Sequence, residues 1–170
     1  MHESAYQNLQ YFNNRYCKHL TTESIVLEFG SYNVNGSAKP IFAKSKYIGV
    51  DISEGPNVDM IFNDYKLDLP DNYADAIVSS SCFEHDEMFW LTFLEMCRLI
   101  KPNEYFYICA PSEGHYHPFP GDCYRFYKDS WKALEKWGQR NNYPVKLIKG
   151  YIDLKDDHWK DSIGIFQKTC

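Results

Sequence analysis

The chain has 170 residues, of which 44% are hydrophobic, 24% charged and 17% aromatic, and its formal net charge is -5. That length and balance suit a soluble chain with one substantial core and exclude a disordered polymer. The acidic balance, with no Lys/Arg block, argues against a nucleic-acid partner, because holding phosphates requires clustered cations.

Cysteines 17, 82, 97, 109, 123 and 170 have neither C-x-x-C spacing nor a regular framework, so they read as reduced thiols of a cytoplasmic protein. Met1 to Lys18 is polar and aromatic without an apolar core segment, so neither a signal peptide nor a membrane anchor is expected there. No repeat or Gly/Ser/Pro linker interrupts the chain, which predicts one domain over 1–170.

In chain order, Ser4 to Lys18 places Tyr6, Leu9, Tyr11 or Phe12, and Tyr16 at helical spacing, which predicts a helix within 1–20. Ile25 to Phe29 is a short buried-strand run ended by Gly30. Gly36 to Lys44 is expected to be a helix with Pro40 in its first turn. Tyr47 to Asp51, Val58 to Phe62, Ala74 to Ser79 and Tyr105 to Ala110 read as further strands. Asp86 to Ile100 sets Phe89, Phe93, Met96, Leu99 and Ile100 on one helical face, closed by Lys101-Pro102. Lys128 to Gln139 is another helix. Val145 to Leu154 and Trp159 to Lys168 read as an antiparallel pair at the sheet edge, joined by an Asp156-Asp157 turn. Strands alternating with helices imply a mainly parallel α/β sheet whose ligands sit at the strands' carboxyl ends.

Gly30 directly follows the first strand, where a residue without Cβ lets the backbone turn sharply and approach a ligand closely. Asp51 ends the second strand about twenty residues further on, where a carboxylate can accept hydrogen bonds from both hydroxyls of a ribose. The loop is not G-x-G-x-x-G, since only Gly30 and Gly36 occur in it. That weakens a nicotinamide-dependent oxidoreductase reading. Its Ser and Asn residues, Ser31 and Asn35 among them, suit instead the polar aminoacyl end of a sulfonium cofactor, and Glu28 suits that cofactor's ammonium group.

The run Val26-Leu27-Glu28-Phe29-Gly30-Ser31-Tyr32-Asn33-Val34-Asn35-Gly36-Ser37 resembles the first motif of class I S-adenosylmethionine-dependent methyltransferases of the type 11 kind. Tyr47 to Ile52 looks like the family's second motif. Leu69-Pro70-Asp71, Ala74 to Ser79 and Phe83-Glu84-His85 are similar to its L-P-x, D-x-V-x-S and L-E-H signals. The resemblance implies a Rossmann-like doubly wound sheet of seven strands, mostly parallel with an antiparallel C-terminal strand. It implies a cofactor-binding core at 25–110, an acceptor-site loop at 111–126 and a C-terminal strand pair at 145–168. It implies S-adenosyl-L-methionine as cofactor and S-adenosyl-L-homocysteine as product. Glu28, Gly30 and Ser31 would line the methionine moiety, and Asp51 and Ile52 would hold ribose and flank adenine. Asp64 would accept the adenine amino group, and Ser80 or Ser81 would close the pocket near the sulfonium.

His85, after the fourth strand, is placed to take an acceptor's proton, although a structural or cofactor-side role competes with that one. The loop Pro111 to Phe126 is too polar and too rich in Pro and Gly to be core. It follows the fifth strand and should overhang the crevice. His115, Tyr124 and Arg125 are therefore candidates for binding the acceptor, and His117 and Asp122 join His85 as catalytic candidates. The loop resembles an H-x-x-P-x-D-x-x-R-F segment of small methyltransferases regarded as acting on sugars or other small metabolites. His115, His117 and Asp122 are also a competent set of metal ligands, but short His-x-His pairs arise easily and no resident metal is expected. In a further reading, Asp122 and Arg125 simply pair to pin the loop. The expected activity is methyl transfer to O or N of a small molecule; the competing class is a non-catalytic cofactor-binding module or subunit.

Overall fold

The computed structural model describes residues 2–34, 36–155 and 158–170. Helix α1 spans Glu3–Tyr16, α2 Phe89–Leu99 and α3 Lys128–Arg140. The strands are β1 Ile25–Phe29, β2 Lys46–Asp51, β3 Met60–Ile61, β4 Ala74–Ser80, β5 Ile100–Pro111, β6 Val145–Ile152 and β7 Asp161–Lys168. They form one seven-stranded sheet in the order β3-β2-β1-β4-β5-β7-β6. Neighbours from β3 through to β5 pair in parallel, whereas β7 runs antiparallel to both β5 and β6. This is the Rossmann-like doubly wound α/β sheet expected from the alternation of elements, with β6 rather than β7 at the edge.

Side chains alternate between two buried layers, as the two-residue period of a strand requires. Leu27 and Phe29, Ile77, Phe106 and Ile108, and Phe166 face the layer that holds α2 and α3. Val26, Ala76 and Val78, Tyr107 and Cys109, and Ile163 and Ile165 face the layer that holds α1. On the first side Phe93 of α2 meets Phe166 at 5.1 Å between ring centroids, and Trp131 of α3 stacks on Phe126 at 5.5 Å. On the second, Phe12 of α1 packs on Tyr107 at 5.3 Å. Much of the aromatic surplus is therefore core.

Four elements differ from expectation, each for a local reason. The segment Gly36 to Lys44 forms only a 3-10 turn at Lys39–Phe42. A run this short, with Pro40 in its first turn, yields too few hydrogen bonds to offset helix nucleation, and buried Phe42 anchors it instead. Only Met60 and Ile61 of the third run pair with β2, because the chain turns in the left-handed region at Asn57 before them and at Asp64 and Tyr65 after them. Helix α2 starts at Phe89 rather than Asp86. The Asp86 carboxylate accepts the Met88 N–H at 3.0 Å and is bonded by the Thr92 hydroxyl, so it closes a local turn before the helix, whose N-cap position is Met88. Strand β5 begins at Ile100, paired with Ala74, so Lys101-Pro102 opens a strand as well as ending a helix. The expected Asp156-Asp157 turn lies outside the described residues.

A cation secures the far end of α2. Lys168 Nζ donates to the carbonyls of Cys97 at 2.8 Å, Ile100 at 3.1 Å and Arg98 at 3.3 Å, and to Asn72 Oδ1 at 2.7 Å. The last strand of the sheet thereby satisfies carbonyls that the helix leaves without partners.

Candidate active site

Sheet order reverses between β1 and β4, since β2 and β3 lie to one side of β1 and β5 to the other. Loops leaving the carboxyl ends of β1 and β4 turn away from each other there and leave a crevice. A cleft of about 450 Å³ occupies that position.

The loop after β1 makes the floor. Gly30 and Ser31 both donate their N–H groups to the Val50 carbonyl, at 2.9 and 3.1 Å, which ties the loop to β2. Gly30 has φ +80°, and a Cβ there would lie 2.4 Å from Cys82 Cβ and 2.8 Å from its Sγ. The close approach of the loops after β1 and β4 therefore requires glycine. Ser31 is buried, and its Oγ has no hydrogen-bond partner among the described residues.

Asp51, at the end of β2, is aimed by main-chain groups. Its Oδ2 accepts the Tyr32 N–H at 2.9 Å and its Oδ1 the Ile52 N–H at 2.8 Å. Each oxygen retains a lone pair for a diol. Glu28 is 3% exposed; burial first and the Asp51 carboxylate second push its carboxyl up to about 8. Asn57 Nδ2 donates to the Ser31 carbonyl at 3.2 Å and reaches Glu28 Oε2 at 3.4 Å, bracing this corner.

Glu28, Gly30, Ser31, Asp51, Ile52, Asp64, Ser80, Ser81 and His85, far apart in sequence, all line this one cleft. Ile52 is 60% exposed at its rim, and Asp64 and Ser81 enter the wall with φ of 52° and 53°. Asn35 lies outside the described residues. Tyr32 and Phe119 were missed by sequence reasoning. Their rings meet edge to face at 6.1 Å across the cleft, which Phe119, Pro120 and Gly121 also line. The available signal was an aromatic within the glycine loop and another between two prolines.

The loop 111–126 is pinned beside the cleft rather than spread across it. Cys123 and Tyr124 donate their N–H groups to the Glu84 carbonyl at 2.7 and 3.1 Å. Asp122, whose side chain is 2% exposed, takes both guanidinium nitrogens of Arg125, at 2.5 and 2.9 Å, and the His117 N–H at 2.8 Å. Arg125 holds the Asp122 carboxyl well below the usual carboxylate range. Arg125 also donates to the carbonyls of His115 at 2.9 Å and Tyr124 at 2.8 Å, while the Tyr124 hydroxyl donates to the Glu87 carbonyl at 2.9 Å. His115, His117, Asp122, Tyr124 and Arg125 therefore form a network behind the wall, and none of them lines the cleft. His85 links the two: its Nδ1 lies 2.5 Å from the Gly121 carbonyl and its ring packs on His117 with centroids 4.9 Å apart. Burial lowers its pKa, which leaves the ring neutral at neutral pH.

The cleft fits an adenosylated sulfonium amino acid: a carboxylate pair of distinct character, an unpartnered buried hydroxyl and a glycine floor stand where such a ligand needs them. Residues 27–108 match the family model described as a methyltransferase domain. The 1,6-didemethyltoxoflavin N1-methyltransferase of Burkholderia thailandensis, crystallised with 1,6-didemethyltoxoflavin and S-adenosylhomocysteine, superposes at TM-score 0.70 and 13% identity, over 99% of this chain and 78% of its own. The YcgJ protein of Bacillus subtilis superposes at 0.65 and 12%, over 99% and 100%. Phosphoethanolamine N-methyltransferase 2 of Haemonchus contortus, in complex with S-adenosyl-L-methionine, superposes at 0.64 and 11%, over 97% and 53%. A comparison with curated protein sequences finds no match. At such identities the superpositions attest the fold alone, and residues 27–108 are similar to a methyltransferase domain.

Proposed function

We propose that the chain transfers the methyl group of S-adenosylmethionine to oxygen or nitrogen of a small-molecule acceptor, a sugar or sugar-linked metabolite being the class favoured by the loop after β5. The carrying observation is the convergence of Glu28, Gly30, Ser31, Asp51, Asp64 and Ser80 on one cleft at the sheet's reversal point, with His85 at its border. The neighbours named above include a 1,6-didemethyltoxoflavin N1-methyltransferase and a phosphoethanolamine N-methyltransferase on one fold, so acceptor chemistry is set by the loops and not by the sheet.

Each part of the wall has a distinct task. Asp51 accepts the ribose hydroxyls, Ile52 lies against the adenine and Asp64 takes the adenine amino group. The Glu28 carboxylate and the Ser31 hydroxyl hold the aminoacyl end, and Ser80 and Ser81 close on the sulfonium side. A bound methyl sulfonium supplies an already activated electrophile, so the chain's remaining work is alignment and exclusion of water. Tyr32 and Phe119 shield the cleft, and neutral His85 stands at the acceptor end as the available base. Asp122 and Arg125 act by holding the loop in place. The whole chain, 1–170, works as one domain, and among the described residues no helix is long and apolar enough to cross a membrane.

The test is a homocysteine-release screen over sugars, nucleotide sugars and small acids and amines, with parallel titration of S-adenosylhomocysteine. Turnover of one acceptor class supports the reading. Tight product binding with no turnover of any acceptor favours the non-catalytic module, and no product binding refutes both.

A further inference from the structure

The segment after β4 and the loop after β5 meet at a point that cofactor binding leaves unused. One potential ligand atom from each of Glu84, His85 and His117 lies within 4.8 Å of the other two. Glu84 is 1% exposed, and its Oε2 is buried with no hydrogen-bond partner among the described residues. A buried carboxylate oxygen left in that state is costly unless something binds it.

Both imidazoles are already oriented. His85 Nδ1 faces the Gly121 carbonyl at 2.5 Å, and a carbonyl only accepts. Nδ1 therefore carries the proton, and Nε2 exposes its lone pair 3.7 Å from Glu84 Oε1. His117 Nδ1 faces the His115 carbonyl at 3.1 Å, Asp122 Oδ2 at 3.2 Å and Arg125 Nη2 at 3.5 Å, and its Nε2 has no hydrogen-bond partner among the described residues. Metal-ligating histidines are held in this way, with the second ring nitrogen donating to a carbonyl or carboxylate. The two rings meet nearly perpendicular, at 83°. Arg125, the nearby cation, is committed to Asp122 and makes no ion pair with Glu84 among the described residues.

We propose that Glu84, His85 and His117 form a binding site for a divalent first-row transition ion at the acceptor end of the cleft. Two imidazole nitrogens and one carboxylate oxygen are the donor set of zinc and its neighbours, whereas magnesium and calcium prefer oxygen ligands throughout. Bonds of about 2.0–2.2 Å place tetrahedral ligand atoms about 3.4 Å apart, so binding draws these side chains inward by about 1 Å. Because His85 belongs to the cleft wall, the ion's remaining positions adjoin the acceptor.

The role of the site rests on the methyltransferase reading and refines it. An acceptor hydroxyl bound to the ion releases its proton to solvent more readily. Its oxygen lone pair then forms the bond to the methyl carbon as the carbon–sulfur pair returns to sulfur, leaving S-adenosylhomocysteine. His85 serves in this arrangement as a ligand and not as the base.

The test titrates the untagged full chain with Co(II), followed by visible absorption, then displaces it with Zn(II) by calorimetry, and titrates S-adenosylhomocysteine separately. The expected result is one ion per chain. Glu84→Gln and His117→Ala should each weaken ion binding by at least about 100-fold, with product affinity preserved. His117 lies on the loop, so its variant stands in for Glu84→Gln should that one fail to fold. His115→Ala, outside the cluster, should retain the ion. Product binding without uptake of Co(II) or Zn(II) overturns the site while sparing the methyltransferase reading. Loss of the ion in His115→Ala, or its retention in His117→Ala, also overturns the site. Absence of product binding refutes the methyltransferase reading instead.

Discussion

Asp51→Ala separates ribose recognition from loop architecture, because the carboxylate serves both. In the protein its two oxygens hold the Tyr32 and Ile52 N–H groups at 2.9 and 2.8 Å, and in the proposed reading their remaining lone pairs serve the diol. Losing two partly charge-assisted hydrogen bonds to the ligand costs roughly 1.5–3 kcal/mol, which corresponds to a roughly 10- to 150-fold weaker Kd for S-adenosylhomocysteine. Losing the Tyr32 anchor costs about a further 1 kcal/mol of stability, a fall of roughly 2–4 °C in Tm for a chain of this size. Calorimetric titration of the wild type and the variant with the product and with its 2′-deoxy analogue completes a cycle that isolates the pair. The wild type should discriminate between the two ligands and Asp51→Ala should bind them alike. Equal discrimination in both proteins would refute the assignment of Asp51 to the ribose, whatever the change in overall affinity.

Gly30→Ala should destabilise the chain by roughly 2–5 kcal/mol, summing left-handed strain and the clash with Cys82, read as a lower urea midpoint at unchanged slope; a loss under about 1 kcal/mol would mean the two loops can part. The Glu28 carboxyl, pushed up to about 8, has a folded pKa above its ordinary value, so its contribution to stability is present in full below about pH 4 and is lost as pH rises through 8. Binding an ammonium group requires the ionised form, so product affinity should rise roughly tenfold between pH 6.5 and 8 and stay flat in Glu28→Gln; an unchanged pH profile in that variant would remove Glu28 from the aminoacyl pocket. Lys168→Met strips the Cys97 and Ile100 carbonyls of their donor and should cost about 2–4 kcal/mol in urea unfolding, whereas a loss below about 0.5 kcal/mol would show that other groups satisfy them.

Which residues gather at the cleft was legible because strand-and-loop chemistry is local. Gly30 ends β1, Asp51 ends β2, and each residue type announces its backbone position within a few neighbours. The sheet followed from alternating apolar runs, down to the antiparallel β7. Three features were not legible. The 3-10 turn at Lys39–Phe42 reflects a nucleation cost that periodicity does not register. The capping of α2 by Lys168 joins residues about seventy positions apart, and a terminal lysine in sequence looks like any solvated charge. The acceptor loop was read as a set of side chains reaching into the crevice, but its strongest pair, Asp122 with Arg125, closes on itself.

That inward closure bears on how the two halves of the site communicate. The loop after β5 is fixed near its carboxyl end both by the Asp122–Arg125 pair and by the Glu84 carbonyl, which accepts the Cys123 and Tyr124 N–H groups. Glu84 and His85 follow β4 closely, and between them and the strand's last residue, Ser80, Cys82 approaches Gly30 of the glycine loop. The acceptor loop is thus tied to the glycine loop through the short segment Ser80 to His85 and through the Tyr32–Phe119 ring contact, while the Phe126 N–H bond to the Pro111 carbonyl ties it to β5. A substitution in that segment should disturb methyl alignment even where both ligands still bind, because alignment depends on the distance between the two halves and binding on each half separately.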